Sequence, residues 1–436
     1  MGTEHTVIRD AYVYDRDAVV DLSLRDGRID RIAPSIDERG DREIDADGNL
    51  VAPGFVDSHL HMDKAYTAAG ERFPKYNETG TDFGAATSLG AEYQNTVAPE
   101  TLRDNAIRLG LQAAANGTLH IRAHVNVGSD IGGTSVIEQM LSAREALQDV
   151  VDIQFAPMVT TGVLNDPDGE ELLHRSLELG ADVVGGADPA TRNLDTGTTL
   201  DTWFDIATEH DAQIDPHIQH PSTLGVHVLH RLAEKTEQCH YGGKVTASHS
   251  YCLAEMSGLE RHLDRPGLTP AELKGLPDGQ LDRAVDRFAD AGMKFVTCHP
   301  STRPGMPLFE LDQADVPVGW GSDNISDWII RHAQPDALQG ALVNAFKLDY
   351  NLYSFASNPA LDLLWRMSTE NGAAVLGIED SYGLEEGNPA DVVVFDEPSP
   401  HWAIIRQATR RYVFKGGQLV AEDGEVVPEL RRQLLG

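Results

Sequence analysis

The sequence predicts an α/β fold, with a (β/α)8 barrel of the TIM type in the middle of the chain and β-rich segments at both ends. The prediction rests on apolar runs that alternate with helix-periodic segments, on hairpin signals at both ends, and on histidines and aspartates gathered where the apolar runs stop.

Taken in order, the first fifty residues read as short strands, "HTVIRDAYVYD", "VVDLSLRDGRIDRIAP" and "REIDADGNLVAPG". Alternating apolar residues punctuated by Asp-Gly predict β-hairpins. "LVAPGFVDSHLH" opens the barrel as its first strand. The second to eighth strands follow as "GTLHIRAHVNV", "VDIQFAPMV", "ADVVGGADPA", "AQIDPHIQH", "KVTASHS", "MKFVTCHPS" and "VPVGWGSDN". Segments with helical spacing lie between them, among them "TLRDNAIRLGLQAAAN", "SVIEQMLSAREALQD", "EELLHRSLELG", "TWFDIATEH" and "VHVLHRLAEKTEQ". That order favours a closed barrel. The runner-up, an open doubly wound sheet, lacks a Gly-x-Gly-x-x-Gly turn after an early strand. The last forty-five residues return to hairpins, "ADVVVFDEP" and "RYVFKGGQLVAEDGEVV". The expected division is 1–54 and 371–436 for the terminal β parts and 55–370 for the barrel.

A chain of 436 residues is ample for a sizeable core. No apolar run is long enough to span a bilayer. The start "MGTEHTVIRDAYVYDRD" has neither the pattern of a signal peptide nor that of a myristoylation site. Cys239, Cys252 and Cys298 are odd in number and far apart, which fits a reducing cytoplasm and excludes a cysteine zinc cluster. Acidic residues outnumber basic ones by 69 to 35, a formal net charge of −34, and only eight of the basic residues are lysines. Such a surface repels nucleic acid and anionic membranes. The acid is spread along a chain with regular apolar periodicity, so it predicts a folded, salt-adapted protein of the halophilic kind.

Chemistry in a (β/α)8 barrel sits at the C-terminal strand ends. Here those positions carry His59 and His61, His120 and His124, His217 and His220, His249, His299 and Asp323. In "HLH" the two imidazoles share one face of a strand, because side chains alternate with period two. Joined by another histidine and a carboxylate from other strands, the pair predicts a catalytic zinc or iron(II). No lysine occurs between Lys75 and Lys235, so the fourth strand offers none to bridge two metals; one divalent ion is expected. His120, His124 and His299 read as packing residues, with His124 within reach of the pocket. His227 and His230 fall on a helix and read as solvated.

"PGFVDSHLHMDKAYT", "DPHIQH", "VTASHSYC" and "GSDN", in this order, resemble the amidohydrolase superfamily and its cytosine deaminase-like branch. Through "ADVVGGADPATR", "GMKFVTCHPST" and "SPHWAIIRQA" the chain is similar to the N-isopropylammelide isopropylaminohydrolase group, which acts in s-triazine breakdown. The resemblance covers essentially the whole chain. It implies a small β-sandwich domain formed from both chain termini beside the barrel. By matching position it implies that His59, His61, His217 and Asp323 bind the metal and that His249 stands near the attacking water. It implies further that Lys64 faces the substrate. The chain departs from the family at His220, where cytosine deaminases carry Glu and the triazine enzymes Asp, and at Thr160, where cytosine deaminases carry Gln.

The expected reaction is hydrolysis of an amino or alkylamino C–N bond on a triazine or pyrimidine such as N-isopropylammelide or cytosine. Asp323 would move the water proton to the departing amine. His249 would steady developing charge. Lys64 or His220 would donate to the ring, with Thr160, Asn324 and Trp328 as further pocket residues. A cyclic-amide hydrolase on the same barrel and a catalytically inactive scaffold are the alternatives. The missing bridging lysine counts against the first, and the intact ligand set against the second. Expected partners are a small heterocycle and further copies of the chain in a homo-oligomer, with neither nucleic acid nor membrane.

Overall fold

The computed structural model describes residues 5–68, 83–221, 223–256, 280–298, 306–330, 333–352 and 358–435. The N-terminal strands β1 (Thr6–Val13), β2 (Ala18–Arg25), β3 (Arg28–Ala33) and β4 (Arg42–Asp45) form one sheet in the order β3-β2-β1-β4. Strand β5 (Val51–Pro53) leaves that sheet to join four strands from the other end of the chain. These are β14 (Val392–Phe395), β15 (Arg410–Lys415), β16 (Gln418–Glu422) and β17 (Glu425–Val426), and the order is β17-β16-β15-β14-β5. The hairpins close as the dipeptides require. Asp26-Gly27, Gly416-Gly417 and Asp423-Gly424 all take positive φ at both positions, the two-residue turn whose twist matches the flanking strands. Ile8, Leu22 and Leu24 of the first sheet share one buried cluster with Val392, Val394 and Phe414 of the second.

The middle of the chain supplies β6 (Phe55–Leu60), β7 (Thr118–Val127) and β8 (Asp152–Val159), paired in parallel. It then supplies β9 (Val183–Gly186), β10 (Gln213–Ile218), β11 (Val245–His249), β12 (Met293–Cys298) and β13 (Val318–Gly321), also parallel and consecutive. The ring closes between β8 and β9, where Asp182 N–H donates to Phe155 O at 3.0 Å, and between β13 and β6. At the second seam Asp323 N–H donates to His59 O at 2.9 Å and His61 N–H to Asp323 O at 3.0 Å. The fold is thus TIM-barrel-like, and one closing seam is made by the backbone of three expected metal ligands.

Helices cover the outside. In Pro99–Ala115, Pro99 stands in the first turn, where its missing N–H costs nothing, and Leu102, Ala106, Leu109 and Ala113 form the buried stripe. Helix Glu370–Leu376 covers the N-terminal mouth of the barrel. Ala373, Val375 and Leu376 pack on Val56 and Val296, and Gln154 and Gln213 both donate to Leu376 O at 3.0 Å. The division expected after residue 370 therefore falls at this plug. Among the described residues, no helix is long and apolar enough to cross a membrane.

Candidate active site

Alternation along β6 sends His59 inward, and His61 continues the same face one residue past the strand end. Both are buried, at 0% and 3% exposure. His61 Nε2 lies 3.4 Å from His217 Nε2 and 3.6 Å from Asp323 Oδ1, and His59 Nε2 lies 3.9 Å from the same oxygen. The four expected ligands therefore converge. His249 joins them, its ring centroid 4.7 Å from that of His59 and 4.9 Å from that of His217. His124 is closer than the sequence suggests. Its ring stacks 4.0 Å from His59, and it forms with His59 and His217 a group able to hold an ion.

The backbone is bent to make this possible. His249, Ser250 and Asp323 all have positive φ, at 68°, 42° and 63°, a conformation that costs non-glycine residues energy and gathers at functional sites. Gly321 lets β13 approach β6: a Cβ there would fall 2.6 Å from His59 Cβ. Beneath the seam Asp57 accepts from Ser322 Oγ at 2.5 Å and from His59 N–H at 3.2 Å, and burial pushes its pKa up to about 7.

Side chains behind the cluster orient the imidazoles. Ser248 Oγ lies 2.9 Å from His59 Nδ1 and donates to Asp215 Oδ1 at 2.7 Å. A carboxylate only accepts, so the single hydroxyl proton goes to Asp215 and Ser248 accepts the Nδ1–H of His59. That leaves the Nε2 lone pair bare toward the site. Burial pushes the Asp215 pKa upward, but the charges of His124, 3.6 Å away, and Arg122, 3.2 Å away, hold it below the usual value. Asp63 faces His61 Nδ1 at 3.9 Å, and its other oxygen accepts from Asn126 N–H and Gln94 Nε2, both at 3.0 Å. A hydrogen-bonded partner such as Ser248 fixes the orientation of a ligating histidine.

Burial, reinforced by neighbouring positive charge, holds His59, His61 and His217 well below the ordinary imidazole value. They are neutral donors, the form in which histidine ligates a metal. His59 Nε2 and His249 Nε2 are buried without a hydrogen-bond partner. Lone pairs left bare beside a carboxylate fit a divalent cation.

A cavity of about 510 Å³ opens onto the cluster, with His61, His217 and Asp323 in its wall. Lys64, Thr160, Asn324 and Trp328 line it as expected, and Asn126, Arg192, Gln219 and Asp327 do so besides. Asp327, 1% exposed, accepts from the N–H groups of Ile329 and Ile330 at 2.8 Å, and burial, opposed by Lys64, pushes its pKa up to about 6.

The lining corrects the expectation for His220. Strand β10 ends at Ile218, and Asp188 Oδ2 accepts from Gln219 N–H at 2.7 Å and His220 N–H at 2.9 Å. The chain turns there, so Gln219 faces the cavity and His220 is absent from its lining. His120 sits at the opposite end of the barrel, 3.4 Å from Asp152 and 3.3 Å from Asp391, because it lies near the start of β7. His227 is exposed as expected, whereas His230 is half-buried against Phe288, its ring centroid 5.9 Å away. His299 lies outside the described residues. Asp63, Ser248, Asp215, Asp188 and Arg192 were not read as site residues. All five lie in stretches singled out in the sequence, Asp63 in "HMD", Asp215 in "DPHIQH", Ser248 in "VTASHSYC" and Asp188 and Arg192 in "ADVVGGADPATR", but nothing in those stretches gives them a role.

Comparison with known proteins agrees with this geometry. The model of the Amidohydrolase family matches residues 42–103 and 95–421. N-isopropylammelide isopropyl amidohydrolase of Pseudomonas sp. (strain ADP) is 40% identical over 421 residues, 97% of this chain and 98% of the relative. The crystal structure of N-isopropylammelide isopropylaminohydrolase from Burkholderia multivorans ATCC 17616 superposes with a TM-score of 0.83 at 27% identity, covering 97% of this chain and 100% of that one. That of 5-methylcytosine deaminase from Klebsiella pneumoniae, liganded with 5-fluorocytosine, gives 0.80 at 25% identity, with coverage of 95% and 97%. The chain is a hydrolase that belongs to the amidohydrolase family.

Proposed function

We propose that this enzyme is a mononuclear, metal-dependent aminohydrolase that cleaves an amino or alkylamino C–N bond on a triazine or pyrimidine ring. The observation that carries the reading is the meeting of His59, His61, His217 and Asp323, the last three of them in the wall of a cavity that also contains Lys64 and Asn324. These four would hold one divalent ion, zinc foremost and iron(II) equally compatible with His₃Asp. Bound there, the ion supplies a water whose pKa falls from 15.7 to roughly 7.

Asp323 takes the proton of the attacking water and delivers it to the departing amine. His249, held neutral by burial, hydrogen-bonds the attacking oxygen and steadies charge at the tetrahedral carbon. Lys64 and Asn324 donate to ring nitrogen or exocyclic oxygen as the ring gains electron density. Gln219 takes the wall position first assigned to His220. The two terminal sheets form a small β-sandwich beside the barrel, and the acidic, lysine-poor composition belongs to a salt-adapted cytoplasmic enzyme.

The test is ammonia or alkylamine release from cytosine, isocytosine, ammelide and N-alkylated triazines in molar salt, with His217→Ala as control. The reading expects release from at least one compound and its loss in the variant. A metal-loaded protein that turns over none of them contradicts it.

A further inference from the structure

The strand-four segment, which offers no metal ligand, places a cation in the cavity instead. After β9 the short helix Pro189–Arg192 starts at Asp188, whose Oδ1 accepts from Ala190 N–H and Thr191 N–H, both at 3.0 Å. The other Asp188 oxygen takes the N–H groups of Gln219 and His220, so one buried carboxylate ties this helix to the loop after β10. The far end is held too. Arg192 O accepts from Asn165 Nδ2, and the neighbouring Asn193, buried, accepts from Leu164 N–H at 2.9 Å. Gly162 is packed so tightly here that a Cβ would fall 2.4 Å from Asn193 Oδ1.

The backbone of Arg192 is therefore fixed from two neighbouring loops, while its side chain, half-buried, lines the cavity and has no ion-pair partner among the described residues. In a chain with 69 acidic residues against 35 basic ones, an unmatched arginine in this cavity is conspicuous. Lys64, 8% exposed, stands at the end of strand one of the eight, three strands away around the ring. Two cations thus flank the position where the ring would lie. A guanidinium offers paired donors that match an oxyanion or adjacent oxygen and ring nitrogen acceptors, whereas a neutral ring with an exocyclic amine presents fewer acceptors and no charge.

We infer that Arg192 is a substrate-positioning residue that grips an oxygen-bearing edge, and that the enzyme selects oxygenated heterocycles carrying negative charge over neutral aminopyrimidines. The inference rests on the reading of this cavity as the substrate site.

The experiment measures binding of two probes to metal-loaded wild-type, Arg192→Gln and Arg192→Lys proteins at fixed salt. Barbiturate is a six-membered ring oxyanion at neutral pH; cytosine is neutral. Loss of a charge-assisted contact weakens barbiturate about 10- to 100-fold in Arg192→Gln, with an intermediate loss in Arg192→Lys. Cytosine, whose O2 and N3 are acceptors without charge, weakens less than barbiturate in both. With a turned-over oxygenated substrate, KM rises and kcat holds. Equal barbiturate affinity in wild type and Arg192→Gln overturns the inference, as does parallel weakening of both probes, which marks a purely structural arginine. No barbiturate binding to wild type also overturns it. Failure of amine release across the substrate panel, with Arg192-dependent barbiturate binding intact, sinks the proposed reaction and upholds the inference.

Discussion

Ser248→Ala removes one hydroxyl and probes how the centre is built. That oxygen accepts from His59 Nδ1 at 2.9 Å and donates to Asp215 at 2.7 Å, at a fully buried position. Without it, His59 Nδ1–H has no acceptor and nothing fixes which nitrogen carries the proton. Two buried hydrogen bonds, each worth about 1 kcal/mol net, are lost. Asp215 keeps Arg122 at 3.2 Å, so the carboxylate remains paired. Loss of such an orienting partner lowers metal affinity about 10- to 100-fold, or about 1.4–2.8 kcal/mol. Zinc titration against a competing chelator reads this directly, with circular dichroism to confirm the fold and Ser248→Thr as the variant that keeps the hydroxyl. Equal zinc affinity in Ser248→Ala and wild type would refute the orienting role. Equal weakening in Ser248→Ala and Ser248→Thr would refute the hydroxyl as its agent.

His249→Asn is expected to lower kcat by about 10²- to 10⁴-fold while metal content stays at the wild-type level; loss of the metal would make His249 a ligand instead. At the other end of the barrel, Asp391→Asn removes a partner shared by Lys415 Nζ at 2.7 Å and His120 Nε2 at 3.3 Å. Burial opposes ionisation of Asp391, but the His120 hydrogen bond and the Lys415 charge hold its pKa far below the usual value. Its contribution to stability is thus complete above about pH 4 and fades only in strong acid. His120 is raised instead, its two aspartates outweighing burial, so its contribution is complete below about pH 6.5 and is lost as pH rises through the raised value. Urea unfolding at pH 6 should show a loss of about 3 kcal/mol in Asp391→Asn, and a loss that did not shrink in strong acid would contradict this linkage.

The barrel was legible because its signals are local. Apolar runs of strand length recur with helical segments between them, and Asp-Gly and Gly-Gly mark hairpins that the backbone forms with positive φ. His59 and His61 were legible for the same reason, and the fold class then supplied their partners at other strand ends. The supporting residues were not legible. Ser248 precedes His249 in "VTASHSYC", but its partners His59 and Asp215 stand 189 and 33 residues away, and the stretch itself names neither. His220 was singled out by the family position three residues after His217, whereas period two puts Gln219 on the face of His217, and β10 ends at Ile218 with Asp188 holding the turn. His120 and His124 share strand β7 and one face, yet the three residues between them separate the closed end of the barrel from the candidate site. Arg192 closes the stretch "ADVVGGADPATR", which gave it no role; only the fixed loop around it makes its place in the cavity meaningful.

The central claim is that one ion, held by His59, His61, His217 and Asp323, serves hydrolysis of a ring C–N bond. Amine release by metal-stripped protein, followed as zinc or iron(II) is added back, tests it most directly. The account predicts negligible activity without metal, a linear rise that ends at one equivalent per chain, and no recovery in Asp323→Ala. Full activity in the stripped protein, or a rise that ends only at two equivalents, would contradict it.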